Sequence, residues 1–148
     1  MTNKVTAATV KAIGVVRNEL NEPRRGPDVM QMVSEIVMDE SLTDALDHLD
    51  EFSNIFVIYL TGPGPQEPKA LRIYPHDDEN NPLAGIFSTF TTDRPNPIGM
   101  NLAKIVERNG NILKVTNFGV VNGTSVIDIR PYIPMHFSVP DAKVGSWL

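Results

Sequence analysis

The sequence predicts an all-β protein: a single small antiparallel β-barrel with one short helix and an irregular C-terminal tail. About seven or eight short runs of β-branched and aromatic residues alternate with turn signals, at the spacing of an antiparallel barrel or sandwich. Only one segment has helical periodicity, which argues against a parallel α/β sheet with its crossover helices. No internal repeat or change in composition divides the 148 residues, so we expect one domain, 1–148.

The first two predicted strands are β-branched runs at residues 10–16 and 33–38. The segment between them, residues 18–28, contains two prolines and a glycine, which break regular structure. It also carries the adjacent cations Arg24 and Arg25. We therefore expect a cationic loop between the two strands.

The helix is predicted over residues 41–52. Leu42, Leu46, Leu49 and Phe52 keep the spacing of one helical face. Ser41 is expected to cap the first turn, and the acidic residues of the segment then lie on the exposed side.

A third strand is predicted over residues 54–60, a continuous β-branched and aromatic run that we expect to be buried on both faces. Seven of the twelve prolines follow between Pro63 and Pro97. Proline removes a ladder donor and breaks helices, so only short strands, at residues 71–74 and 86–91, are predicted there.

Two hairpins complete the predicted barrel. The first joins residues 102–107 and 112–116 through Asn109-Gly-Asn111, and the second joins residues 118–121 and 125–129 through Asn122-Gly-Thr124. The remaining tail, from residue 131 to residue 148, is expected to be irregular.

The composition excludes several classes of function. The chain has no cysteine, hence no disulfide, thiolate metal site or cysteine nucleophile. Its three histidines lack metal-ligand spacing, so we expect no metal. No apolar run can span a bilayer and no secretory signal is visible, so we expect a cytoplasmic protein with no membrane partner. The net charge of -5 argues against a generally basic surface for nucleic acid but leaves room for a local patch.

The segment Arg94-Pro-Asn-Pro-Ile-Gly99 is the most unusual part of the chain. Each proline pushes the residue before it into an extended conformation, so the segment is a stiff loop. That loop would hold the Arg94 guanidinium and the Asn96 amide in fixed directions and leave the N–H groups of Ile98 and Gly99 free for a ligand or another strand. The alternative is a rigid barrel corner with Arg94 in a structural ion pair.

A second notable segment follows the last hairpin turn. Alternation places Asp128 and Arg130 on one face of the strand. Asp128 is expected to pair with Arg94 or Arg130, or to accept a hydrogen bond from a ligand hydroxyl. Tyr132 suits either the edge of the core or stacking on a base.

These two segments resemble the TsaA-like family, also called the TrmO family, of S-adenosylmethionine-dependent tRNA methyltransferases. The resemblance spans nearly the whole chain and also includes Ile13–Arg17, Leu49–Phe56, Gly85–Phe87 and Asn122–Thr124. It implies a β-barrel that forms a homodimer, with S-adenosylmethionine bound near the dimer interface. It also implies N6-methylation of threonylcarbamoyladenosine beside the tRNA anticodon.

The resemblance also implies where the cofactor binds. Arg25 stands where the family usually has Gln, Phe90 where it has Arg, and Gly119 where Asp is common. Gly62 stands where many members have His. Carried over by position, the cofactor contacts are Pro23, Arg24, Arg25, Thr61, Gly62, Phe90, Met100, Thr116, Asn117, Phe118 and Gly119.

The expected function is therefore methyl transfer from S-adenosylmethionine. Arg24 and Arg25 would hold the cofactor carboxylate, and Phe90 or Tyr132 would face the adenine, while no general base is assigned. The chain ends soon after the predicted barrel, so we expect the barrel alone. Binding of tRNA would then need a local patch, for which the candidates are Arg24, Arg25, Lys69, Arg72 and Arg94. Shaping of the pocket is assigned to Arg94, Asn96, Asp128 and Tyr132. The alternative is a non-catalytic dimeric barrel that binds a nucleoside-like ligand or a protein partner.

Overall fold

The protein folds into a closed six-stranded antiparallel barrel, which confirms the predicted all-β class. The computed structural model describes residues 5–148, and the first four residues of the predicted domain 1–148 lie outside this range. The barrel strands follow one another in the order β1-β2-β7-β6-β3-β8, and β4 and β5 form a separate two-stranded sheet. The strands are β1 (Gly14–Arg17), β2 (Ser34–Met38), β3 (Asn54–Leu60), β4 (Arg72–Ile73), β5 (Ala84–Gly85), β6 (Ile98–Asn109), β7 (Ile112–Thr116) and β8 (Ser125–Pro131).

The helices among the described residues are all short. Two are α-helical, α1 (Pro27–Gln31) in the first loop and α2 (Pro134–Phe137) in the tail that we expected to be irregular. Four segments are 3₁₀ helices: Glu40–Leu46, Leu49–Glu51, Pro75–Asp77 and Ile86–Ser88. None of these helices is long and apolar enough to cross a membrane.

The predicted helix over residues 41–52 is wrong in type. It consists of two 3₁₀ helices, because His48 between them adopts a left-handed conformation (φ 68°) that interrupts the turn pattern. The cap is Asp39 rather than Ser41, since the Asp39 side chain accepts the Ser41 N–H at 2.9 Å. The apolar face is confirmed in part: Leu46 is buried and Leu49 packs against the core, whereas Phe52 is 38% exposed.

Two predicted strands are also wrong. Residues 86–91 begin with a 3₁₀ helix, Ile86–Ser88, in place of a strand. Residues 118–121 leave the sheet because Asn117 (φ 58°) turns the chain inward, and Phe118 becomes fully buried in the barrel. The second predicted hairpin is therefore absent, and β8 pairs with β1 and β3.

The core lies inside the barrel and is built by strict alternation along the strands. On β3, Ile55 and Val57 are fully buried, while Phe56 and Ile58 are only partly covered. The expectation that β3 is buried on both faces is wrong, because its second face is the outer surface of a single-layered barrel. The core cluster contains Val16, Ile36, Met38, Leu46, Ile55, Val57, Ala103, Leu113, Val115, Phe118, Val120 and Val126.

Candidate functional site

The strand β6 is longer than its partner β7, and this difference creates the candidate site. On one side β6 pairs with β3 from Ile98 to Lys104. On the other side it pairs with β7 only from Lys104 onward, because β7 ends at Thr116. The first part of β6, residues 98–103, therefore has a free edge toward β7.

The free edge presents backbone hydrogen-bonding groups in a fixed order. Thr61 N–H donates to the Pro97 carbonyl at 2.7 Å, so the odd-numbered positions of this stretch direct their backbone groups toward β3. The even-numbered residues Met100 and Leu102 then direct theirs toward the free edge. The Leu102 carbonyl accepts from Asn117 Nδ2 at 3.2 Å. The N–H and C=O of Met100 and the N–H of Leu102 point toward the same free edge.

The segment after β7 lies beside this edge and is held by α1. Asn117 N–H donates to the Met30 carbonyl at 2.8 Å. A Cβ on Gly119 would lie 3.0 Å from Val29 Cγ1, so the backbone at Gly119 packs directly on the helix. The predicted contact segment, residues 116–119, thus sits between the free edge of β6 and α1.

The same helix brings the predicted cationic loop to the site. Arg24 Nη1 lies 2.6 Å from Oδ2 of Asp28, which is in the first turn of α1. This hydrogen bond with the guanidinium lowers the pKa of the Asp28 carboxyl below its usual range. Both side chains are exposed, and Arg25 makes no salt bridge among the described residues. Arg25 is therefore the cation of this pair that remains available to an anionic group.

The predicted contacts Thr61 and Gly62 lie at the start of β6, on the side of that strand that faces β3. The chain leaves β3 there and runs alongside Pro97, against which a Cβ on Gly62 would come within 3.1 Å of Cγ. Met100, two residues into β6 from Ile98, is 50% exposed. Residues 100 and 116–119 thus lie at the free edge of β6, residues 61–62 lie at the start of the same strand on its β3 side, and the loop of residues 23–25 leads into α1.

The Arg94 loop has a different organisation from either alternative predicted. Arg94 Nη1 donates to the carbonyls of Ile86 at 3.2 Å, Thr89 at 2.9 Å and Thr91 at 3.2 Å. Its guanidinium also lies over the Phe87 ring, 5.7 Å from the centroid. The expected ion pair of Arg94 is wrong, because its partners are backbone carbonyls. These bonds fold the chain around Arg94 and leave Phe90 at the loop's tip, 91% exposed.

The N–H groups expected to be free after the two prolines are not free. Ile98 N–H donates to the Asn96 carbonyl at 2.7 Å. Gly99 is paired with Tyr59 on β3. The expectation failed because β6 begins at Ile98, directly after the prolines. The Asn96 side chain itself is exposed.

Asp128 and Tyr132 do not shape the Arg94 loop, which corrects their predicted role. Asp128 Oδ2 accepts from Arg130 Nε at 3.0 Å, which selects Arg130 between the two expected partners. Tyr132 packs edge-on against Phe56 at 5.7 Å, and its N–H donates to Asn54 at the start of β3. The length of β3 separates that point from Thr61 by roughly 23 Å.

Two clefts lie away from the candidate site. One, of about 460 Å³, is lined by residues 50–53 and 105–108. The other, of about 430 Å³, is lined by residues 17–19, Met32, Val33, Glu35 and Lys114. Neither includes a predicted site residue, and Met100 at the candidate edge is 50% exposed. Within residues 5–148 no cluster of three or more His, Asp or Glu side chains is placed to hold a metal ion.

The comparisons with known proteins bear on this edge and its surroundings. The family model of the tRNA-methyltransferase O (TrmO) N-terminal domain matches residues 14–136. The chain belongs to this family. A probable S-adenosyl-L-methionine-binding protein of Pyrococcus abyssi is 30% identical over 143 residues, which cover 93% of this chain and 74% of that protein. The tRNA (adenine(37)-N6)-methyltransferase of Escherichia coli is 34% identical over 146 residues, which cover 90% of this chain and 61% of that enzyme.

Solved structures of TrmO proteins share the fold. One matches with a TM-score of 0.76 and 25% identity, covering 95% of this chain and 64% of that one. TrmO from Pseudomonas aeruginosa matches with a TM-score of 0.74 and 24% identity, covering 95% and 63%. The chain thus spans about three fifths of the solved TrmO chains and of the Escherichia coli enzyme.

These comparisons confirm the predicted family. They also confirm, for the TrmO family, the predicted S-adenosylmethionine cofactor and the class of enzyme, since relatives are named as binding proteins for this cofactor and as methyltransferases. Sequence reasoning missed α1 and its residues Asp28, Val29 and Met30. Gly26 followed by Pro27 and an acidic residue is a helix-start signal that could have found them.

Proposed function

We propose that this chain is an S-adenosylmethionine-dependent methyltransferase whose cofactor binds along the free edge of β6. The observation that carries the proposal is that the N–H and C=O of Met100 point toward the free edge of β6. This edge lies next to residues 116–119 and to the loop that leads into α1. One edge of adenine carries an amino donor beside a ring-nitrogen acceptor. These two groups can pair with a backbone C=O and N–H on a strand edge, as the backbone of an added strand does. The exposed Met100 side chain supplies an apolar surface for the ring.

Charge supports the same placement. The methionine part of the cofactor ends in a carboxylate, and a guanidinium forms two parallel hydrogen bonds with such a group. Arg24 is already engaged by Asp28. We assign the carboxylate to Arg25, with Arg24 and Asp28 fixing the loop that carries it.

We further propose that the active form is a homodimer that joins through the outer face of β3 and β6. Ile98, Met100 and Leu102 on that face are 41%, 50% and 37% exposed, and Phe90 is 91% exposed. An apolar surface of this kind is typical of a protein interface. A second protomer would enclose the edge site, which one protomer leaves open, and would cover the Phe90 ring.

The proposed acceptor is the N6 nitrogen of threonylcarbamoyladenosine in tRNA, and the proposed location is the cytoplasm. When bound, S-adenosylmethionine supplies an electrophilic methyl group on a sulfonium. That methyl group would pass to the acceptor nitrogen with the sulfonium sulfur as leaving group, and the nitrogen would release its proton to water. The chain's contribution is to hold cofactor and acceptor in line, which alone can provide a large part of the acceleration. Arg24 and Arg94 are bound internally and Arg25 is assigned to the cofactor, so Lys69 and Arg72 remain of the predicted tRNA patch.

Titration calorimetry with S-adenosylmethionine tests the cofactor site. We expect the wild-type chain to bind, and Arg25→Ala to bind at least ten-fold more weakly, because it loses a charge-assisted hydrogen bond. Arg72→Ala removes an equally exposed arginine from β4 and is the matched control. Absence of binding by the wild type at millimolar cofactor would refute the proposal.

A transfer assay tests the reaction. Methyl-labelled cofactor is incubated with tRNA from cells that lack this modification, and the labelled nucleoside is identified after digestion. We expect label on N6-methylated threonylcarbamoyladenosine. Binding without any transfer would instead support the non-catalytic alternative raised by the sequence, and label on another nucleoside would change the substrate.

Sedimentation velocity tests the dimer. Ile98→Glu places a charge on the proposed interface, and we expect it to shift the protein to monomers. Val15→Glu is the matched control, since Val15 is 41% exposed like Ile98 but lies on β1, three strands away from β6 around the barrel. Equal sedimentation of both variants and the wild type would exclude this face as the interface.

A further inference from the structure

A polar pair inside the barrel, Tyr59 and Asn101, lies directly behind the proposed cofactor edge. Tyr59 O–H donates to Asn101 Oδ1 at 2.9 Å. Tyr59 follows the buried residues Ile55 and Val57 in alternation along β3, so its side chain points inward and packs against the core cluster. The core cluster around it is apolar, which makes this hydrogen bond unusual there.

The Tyr59 ring is fixed on three sides. Its edge rests on Gly99, where a Cβ would lie only 2.4 Å from Tyr59 Cε2. It meets Phe118 edge-on, with ring centroids 6.1 Å apart and planes inclined by 69°. The hydrogen bond to Asn101 holds its tip. Rotation of this ring would therefore require both a strand and a loop to move.

Each of the three partners adjoins one part of the proposed site. Tyr59 is two residues before Thr61, where β3 ends. Asn101 lies between Met100 and Leu102, whose backbone groups form the free edge. Phe118 lies within the segment 116–119, and it is fully buried. One ring thus joins the end of β3, the edge of β6 and the loop after β7.

We propose that Tyr59 and Asn101 are a positioning pair that sets the relative placement of these three parts and thereby tunes cofactor affinity. This inference rests on the proposed cofactor site. Burial raises the pKa of the Tyr59 phenol, so it remains protonated, and thus a donor, throughout the physiological pH range. Neither side chain touches the cofactor in this proposal, and they act through Met100 and residues 116–119.

The test compares Tyr59→Phe, Asn101→Ala and the double variant by cofactor calorimetry at a temperature well below melting. We expect each single variant to weaken S-adenosylmethionine binding by about five-fold, as expected for one lost hydrogen bond. We expect the double variant to be no weaker than the singles, because both remove the same bond. In the transfer assay KM for the cofactor should rise with little change in kcat. Tyr74→Phe, which removes a hydroxyl from an exposed tyrosine, is the matched control.

The outcomes separate the two proposals. If the wild type binds the cofactor and all variants bind equally well, the positioning role is overturned and the cofactor site stands. A lower melting temperature with unchanged affinity also overturns it, since that is the result of a merely structural bond. If the wild type does not bind, the cofactor site itself is refuted. Should Tyr59→Phe fail to fold, Asn101→Ser applies the same test with the tyrosine in place.

Discussion

Replacing Arg94 by methionine should loosen the loop of residues 86–94 while the barrel remains folded. Arg94 Nη1 carries two hydrogens shared among three carbonyls at 2.9 to 3.2 Å, so at most two full hydrogen bonds are lost. Arg94 is half-buried, and we take about 1 kcal/mol for each bond. Loss of the contact with the Phe87 ring adds about 0.7 kcal/mol. The sum is about 2.7 kcal/mol, equivalent to roughly a hundred-fold shift in the loop's opening equilibrium.

Amide hydrogen exchange measures this shift directly. The N–H of Ile86 donates to the Leu71 carbonyl at 3.0 Å and that of Thr89 donates to the Ile86 carbonyl at 3.2 Å, so both report on the closed loop. We expect these amides to exchange about a hundred-fold faster in Arg94→Met. Amides of β3 should keep their rates, and Arg72→Met should change neither set. Unchanged protection at Ile86 and Thr89 would show that the carbonyl contacts do not hold the loop.

Three further outcomes follow from the barrel. Gly99→Ala should lower the free energy of unfolding by about 3 kcal/mol in urea denaturation, because its Cβ would lie 2.4 Å from the Tyr59 ring. Gly64→Ala is the control and should leave stability unchanged, because no atom lies within 4 Å of a Cβ at that position. Asn18→Ala should lower the free energy of unfolding by about 2 kcal/mol, because Asn18 Nδ2 donates a hydrogen bond at 2.7 Å to the carbonyl of the buried residue Val120. An unchanged urea midpoint would contradict this expectation. The unfolded chain ionises Tyr59 near its ordinary pKa of 10.0, whereas burial raises the pKa of this phenol in the folded chain. Stability should therefore fall as the pH rises above 10, and fall less in Tyr59→Phe.

Much of the barrel could be predicted because its signals are local. Alternation along β2 and the Asn109-Gly-Asn111 turn between β6 and β7 depend only on neighbouring residues. The prediction of one helix over residues 41–52 was wrong because the left-handed residue is His48, and only a glycine or asparagine would have indicated that conformation in the sequence. The strand predicted over residues 118–121 was wrong because tertiary packing favours burial of Phe118 over strand pairing.

The candidate site was predicted by resemblance and not by pattern. Its organising feature is the point where β7 stops relative to β6, and Asn117 at φ 58° determines that point. No periodicity in the sequence reports a single left-handed residue. The role of Arg94 could be predicted from the sequence only in part. The prolines predicted a stiff loop, but the carbonyls that bind the guanidinium belong to Ile86, Thr89 and Thr91, three to eight positions earlier in the chain.

The early end of β7 supports the proposal that the edge of β6 has an occupant. An unpaired edge beside exposed apolar side chains invites uncontrolled strand pairing, and proteins usually cover or block such edges. Here Asn117 Nδ2 blocks only the Leu102 carbonyl, and the outward groups of Met100 have no such cover within the described protomer. A longer β7 would pair this edge, but Asn117 turns the chain away from β6 and α1 holds it there through Met30. The hydrogen bond from the Asn117 N–H to the Met30 carbonyl thus keeps the segment after β7 from pairing with the Met100 groups, and this geometry supports the proposal that the cofactor uses the edge and that a second protomer closes over it.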